Sequence, residues 1–335
     1  MKLNRQTTHV VLGMVFSPDA GSTPAISTRR SHGCRGSVFV SPNQYSAGRL
    51  SMELAFTKLS GAGNDFVALD DRDGRLGDID RGALAKTLCD RHRGIGADGI
   101  LILAPSTLAD VKMLYYNADG SFGGMCGNGG RCTAAYARIL GVPGDELTIE
   151  ALDFIYRAQF TAHGVRLHMK DPVNIVRGIR VQANGGTHTV HAINTGSPHI
   201  VQFVSDLDRV DVERLGRTLR EHERFAPEGT NVNFVQTLDM SVLSMRTYER
   251  GVEAETLACG TGSVASAVVA HLEYGLRPPI RVLTRSGESL RVEFNVHGSR
   301  IAQVTLEGSA VSVFSGTTLY DPLKAIVRGE GESIR

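Results

Sequence analysis

The chain is poor in cysteine, in net charge and in long apolar runs, and each shortage closes off a class of function. Its five cysteines (34, 89, 126, 132 and 259) are an odd and sparse set. They do not make the disulfide framework of a small secreted protein, and a reducing cytosol is the expected setting. Formal net charge is +1, so no field draws the chain to nucleic acid or to an anionic membrane. No apolar stretch approaches the ~20 residues that a spanning helix needs. Acids are nearly missing from the first 51 residues, which hold Arg5, Arg29, Arg30, Arg35 and Arg49 but only Asp19. An organelle transit peptide has that composition. The favoured expectation is a poorly ordered extension over 1–51, with the folded protein starting at Met52.

What the chain does have is glycine, 38 residues of it, gathered in motifs. That suggests backbone pressed close to a ligand. Two motifs stand out: CGNGGRCTAAYARIL from Cys126 and CGTGSVASAVVAHL from Cys259. Each opens with Cys-Gly-x-Gly and continues into an alanine-rich helical run. A helix start offers unpaired N–H groups and the positive end of the dipole. A thiol placed there is expected to lose its proton more easily and to serve as a base. Two such thiols suggest a pair working on one substrate from opposite sides.

Cys259 follows Cys126 by 133 residues, and the same shift brings other residues into coincidence without a gap. Gly63 meets Gly196, Arg91 meets Arg224, Gly96 meets Gly229 and Tyr115 meets Tyr248. This is one long duplication, too long for a solenoid unit. It predicts two similar domains facing each other, with the site between them. Short strands with few helices point to an α+β fold.

Gly94-Ile-Gly-Ala-Asp-Gly99 matches the dinucleotide fingerprint, but a polar segment precedes it and a strand follows it, the reverse of what a nicotinamide site needs. Cys126 and Cys132 are spaced too widely for a metal pair, and no metal is expected. Cys132 and Cys89 read as core thiols. Glu249 and Arg250 stand just before Cys259, where Arg offers a fork for a carboxylate and Glu can take an ammonium. Asn64, Asn117, Asn128 and Asn231 lie beside glycines or strand starts and read as ligand contacts. His199 is a candidate for positioning substrate or a neighbouring thiol. A different class of function, a thiol sensor forming a Cys126–Cys259 disulfide, uses the same two residues.

GAGNDF, RHRGIGADG, YYNADG, MCGNGGRC, NTGSPH, GTNVNF and YERGVEAETLACGTG occur in this order. Together they resemble the diaminopimelate epimerase family over roughly 54–320. The resemblance implies two pseudo-symmetric domains, each a curved, mostly antiparallel sheet or barrel around a central helix. It places domain 1 at 52–170 with a C-terminal return over 305–328, and domain 2 at 171–304. It implies a cytosolic homodimer that needs no cofactor and interconverts LL- and meso-diaminopimelate for lysine and peptidoglycan precursors. Cys126 and Cys259 become the two proton-transfer groups. The Gly127-Asn128 and Gly260-Thr261 turns aim N–H donors at the reacting carboxylate. Asn64, Asn117, Asn231, Glu249 and Arg250 match binding positions, with Ser197 and His199 as auxiliaries. The chain departs from the family pattern at Ser197, where many members have Asn, and at Gly99, where some have Gln. A related cofactor-independent racemase of histidine or proline type is the alternative.

Overall fold

A computed structural model of the chain describes residues 51–298, 300–322 and 326–328. The expectation for the N-terminal extension therefore lies outside the described residues, Ser51 apart. The first half runs β1 (Met52–Gly61), β2 (Asn64–Asp70), α1 (Arg81–Cys89), β3 (Gly99–Ala104), β4 (Val111–Asn117) and α2 (Gly127–Ile139). It continues with β5 (Glu146–Ala151), β6 (Phe154–Thr161) and β7 (Gly164–His168). The second half opens with β8 (Val173–Ala183), β9 (Gly186–Asn194), β10 (Pro198–Phe203), α3 (Val212–Arg220) and β11 (Asn231–Asp239). There follow β12 (Val242–Glu249), β13 (Ala254–Thr256), α4 (Gly260–Tyr274), β14 (Ile280–Leu283) and β15 (Ser289–His297). The last strands are β16 (Arg300–Gly308), β17 (Val311–Asp321) and β18 (Ile326–Arg328).

The duplication is visible in the strand pairing. The parallel pairs β2–β3 and β4–β5 recur as β10–β11 and β12–β14. β17 closes against β1 as β8 closes against β9. β16 joins the halves, pairing with β15 on one side and β7 on the other. Each half wraps a central helix, α2 or α4. From Val264 to Ala270, α4 is buried on every side, as its nearly unbroken run of alanine, serine and valine allows. The α+β class holds. β8 and the full length of β17 have no clear signal in the sequence. Both carry long exposed stretches and lack the alternation that marks a half-buried strand.

The constant shift of 133 does not survive along the strands. Phe66 and His199 keep it, but Phe66 pairs with Gly99 whereas His199 pairs with Asn231, which is 132 further on. Ile100 pairs with Tyr116 and Val232 with Tyr248, so Tyr116, not Tyr115, is the equivalent of Tyr248. A slip of one residue sends a side chain to the other face of a sheet. Tyr115 accordingly packs edge-on to Phe66 at 5.9 Å and donates to Asn117 Oδ1 at 2.6 Å. Tyr248 lies instead beneath α3, where a Cβ added to Gly216 would come within 2.5 Å of it.

The Tyr248 hydroxyl is buried without a hydrogen-bond partner among the described residues. An unpaired buried hydroxyl costs about 1–3 kcal/mol, so Tyr248→Phe is expected to leave stability unchanged or to raise it by about 1 kcal/mol. Urea unfolding measures this, and a loss of stability would show that the hydroxyl has a partner.

Candidate active site

Both cysteines cap a helix. Cys126 precedes α2 with φ −123° and ψ 126°, and Cys259 precedes α4 with φ −124° and ψ 112°. In each case the sulfur accepts the N–H of the third residue on, Gly129 or Gly262, at 3.4 Å. This is N-cap geometry with sulfur in place of the usual oxygen. The two helix starts meet end to end. A Cβ on Gly127 would stand 3.6 Å from Gly260 Cα and 3.0 Å from Leu306 Cδ2. A Cβ on Gly260 would stand 3.4 Å from Gly127 Cα and 3.0 Å from the same Leu306 atom. Glycine after each cysteine is what lets the two caps approach.

The caps open onto one cleft of about 770 Å³. Cys126, Cys259, Asn64, Asn117, Gly127, Asn128, Ser197, Asn231, Glu249, Arg250, Gly260 and Thr261 all line it. His199 does not line it and sits behind the second cap. Some of these side chains are already engaged by the protein. Asn231 donates to the Pro198 carbonyl at 2.9 Å and accepts the Arg250 N–H at 2.9 Å. Asn117 accepts from Tyr115 and donates to Ser121 Oγ at 2.9 Å. The Glu249 carboxylate accepts Thr256 Oγ1–H at 2.5 Å and acts electrostatically on the Cys259 thiol. Glu249, expected from the sequence to take an ammonium, lies in the structure close to Cys259. Among the described residues no group of His, Cys, Asp or Glu gathers as metal ligands would.

The electrostatics differ from the sequence expectation. Burial pushes both thiols up and outweighs the helix-start donors, which act in the lowering direction as expected. At Cys126 the N–H groups of Gly129 and Asn128 and the charge of Arg131 work against burial, to which Glu249 adds. At Cys259 the neighbouring Glu249 carboxylate adds to burial, and the thiol stands well above its ordinary range. Burial also raises Glu249.

His199 is wholly buried, and burial with the nearby Arg250 brings its imidazole down to about 3, so it is neutral. Asn233 Nδ2 approaches Nδ1 at 3.2 Å while donating to the Ile200 carbonyl, which leaves Nδ1 the acceptor and Nε2 protonated. Nε2 reaches Ser197 Oγ and Thr261 Oγ1 at 2.9 Å each, and Thr261 Oγ1 lies 3.6 Å from the Cys259 sulfur. His199 thus buttresses the second cap through Thr261.

Other residues also line the cleft, among them Arg91, Asp98, Tyr115 and Thr256. Sequence reasoning did not single them out as site residues. Arg91 and Asp98 lie within RHRGIGADG, where the glycine pattern is the stronger signal. Arg91 holds Asp65 through two bonds at 2.8 and 3.0 Å and Asp98 at 2.8 Å.

With the geometry in place, comparison with known proteins is informative. The sequence profile of the family described as Diaminopimelate epimerase matches residues 56–175 and 191–313. A protein of Chlorobaculum tepidum named diaminopimelate epimerase is 42% identical over 263 residues, covering 77% of this chain and 99% of the relative. One of Aquifex aeolicus with the same name is 40% identical over 274 residues, covering 78% of this chain and 97% of the relative. Among solved structures, a PhzF-family phenazine biosynthesis protein of Bacillus anthracis superposes with a TM-score of 0.62 at 17% identity, over 79% of this chain and 99% of its own. A probable proline racemase of Agrobacterium radiobacter gives 0.62 at 15% identity, over 78% and 92%. The two structures share the fold, and the sequence matches go further: the chain belongs to the diaminopimelate epimerase family.

Proposed function

We propose that this protein interconverts LL- and meso-diaminopimelate by moving a proton between Cys126 and Cys259 across the substrate's α-carbon. The observation that carries this reading is the meeting of two cysteine-capped helix starts over one cleft. One sulfur, as thiolate, takes the α-proton, the C–H bond breaks and an S–H bond forms. The other, as thiol, delivers its proton to the opposite face, and its S–H bond breaks as the new C–H bond forms. Atoms and charge balance, and the two sulfurs end with their protonation exchanged.

The α-proton of an amino acid is very weakly acidic, so the growing negative charge has to be stabilised where it collects, on the carboxylate. The first-turn N–H groups of α2 and α4 that have no intrahelical acceptor supply donors there. A substrate with an amino-acid group at each end suits a cleft that carries Arg250, Glu249 and asparagine amides as well as the two thiols. The proposal carries with it a cytosolic setting, which keeps both thiols reduced, and a homodimer, which the solution mass of the purified protein checks.

The purified, reduced protein is expected to incorporate deuterium from solvent at the α-carbon of LL- and meso-diaminopimelate. Cys126→Ala and Cys259→Ala are each expected to cut kcat by at least about 10²–10⁴-fold with the fold intact, the range set by losing one proton-transfer group. Turnover of histidine or proline with diaminopimelate inert would replace this reading by the racemase alternative. Since both thiols are raised, their alkylation by iodoacetamide is expected to begin above the ~8.5 of a free thiol. As pH rises Cys126 should react before Cys259, the more strongly raised of the two. Peptide mapping of the alkylated protein reads the order, and the reverse order would count against the assigned environments.

A further inference from the structure

We propose that Arg131 and Asp98 are positioning residues, the charged ends of a hydrogen-bond relay that fixes the amides of Asn128 and Asn64 at the cleft. Resting on the epimerase reading, this adds two residues to it. Arg131 is fully buried in the first turns of α2 and has no contact with the cleft. Its Nη2 donates to Asn128 Oδ1 at 2.9 Å. Asn128 Nδ2 donates to Asn64 Oδ1 at 2.5 Å. Asn64 Nδ2 donates to Asp98 Oδ2 at 3.0 Å.

The relay has one possible polarity. A guanidinium only donates and a carboxylate only accepts, so neither amide between them can flip without breaking two bonds. Both ends are themselves held. Arg131 also donates to the carbonyls of Gly127 at 3.2 Å and Ser309 at 3.4 Å. Asp98 Oδ1 accepts from Arg91 at 2.8 Å, and Oδ2 also accepts the Asp65 N–H at 3.2 Å. The relay crosses between the halves, because Asn128 Nδ2 also lies 3.4 Å from the carbonyl of Ala258, the residue before Cys259. It exists on one side only. Val264 holds the place in α4 that Arg131 holds in α2, each five residues after its cysteine.

Asp98→Asn tests this, because it keeps size and shape but lets the end of the relay donate, which frees Asn64 to turn. The full-length, reduced enzyme carrying Asp98→Asn is expected to show KM for LL-diaminopimelate raised about tenfold, with kcat within about twofold and Tm unchanged, the scale of one misdirected polar contact. Arg131→Lys replaces the planar fork by one compact ammonium, which cannot span the Asn128, Gly127 and Ser309 acceptors that Nη2, Nη1 and Nε reach, and should move KM in the same direction. An Asp98→Asn enzyme with wild-type KM overturns the relay, as does one whose Tm falls while KM stays. Failure of the wild type to take up α-deuterium would sink the epimerase reading instead, and that is measured before either variant.

Discussion

Two helix N-termini brought end to end put like charge against like, roughly half a positive charge on each. At Gly127 and Gly260 nothing but hydrogen separates them, and Leu306 packs over both. Such an arrangement holds only if something negative or electron-rich lies between the ends. The two sulfurs accept N–H bonds there, and the Glu249 carboxylate adjoins one of them. Arg131 sharpens the demand by adding a buried cation whose side-chain hydrogen-bond partners are all uncharged oxygens. An anionic ligand relieves this strain on entry, and a ligand whose negative charge grows during reaction relieves it further. That difference between ground and transition state is the part of binding that accelerates chemistry.

The duplicated scaffold carries unlike walls. Strand register makes Gly99 the equivalent of Asn231, since Gly99 pairs with Phe66 and Asn231 with its counterpart His199. The first cap is backed by Arg131 and the asparagine relay, the second by Glu249, Thr261 and neutral His199. A two-fold backbone therefore presents a cation-backed sulfur on one side and a carboxylate-backed sulfur on the other. A substrate with different groups on its α-carbon has a preferred way to lie between them, which exact two-fold symmetry would deny it.

The helix starts, the twin cysteines and the duplication were legible in the sequence because each is a local signal. Cysteine, two glycines and an alanine run mark a capped helix wherever they occur. The one-residue slip at β3 and β11 was not legible. It arises in the segments before those strands, where the halves differ in loop shape, and a match of Tyr with Tyr conceals it. Nor could the sequence show that burial would outweigh the helix-start donors at Cys126 and Cys259, because that depends on how tightly the second half covers the first. Asp98 and Arg131 were visible as letters within motifs, but their joint action depends on Asn64 and Asn128 lying between them in space.

The raised thiols are consistent with base chemistry once the whole cycle is considered. A thiol that resists ionisation gives a thiolate that is a stronger base when it forms, and the α-carbon demands a strong one. The same burial keeps water from competing for the proton in transit. On the proposed mechanism one negative charge is shared between two sulfurs. Donors favour it on both sulfurs and Glu249 disfavours it on both, but only Cys126 has Arg131 in its favour, and at Cys259 Glu249 is the largest opposing effect after burial. Each turnover moves the charge to the other sulfur, so one direction of reaction leaves the protein in its favoured form and the other does not. The protein then has to reset its protons before the next cycle. Glu249, beside Cys259 and bonded to the Thr256 hydroxyl, is the titratable group nearest to where that charge has to be restored.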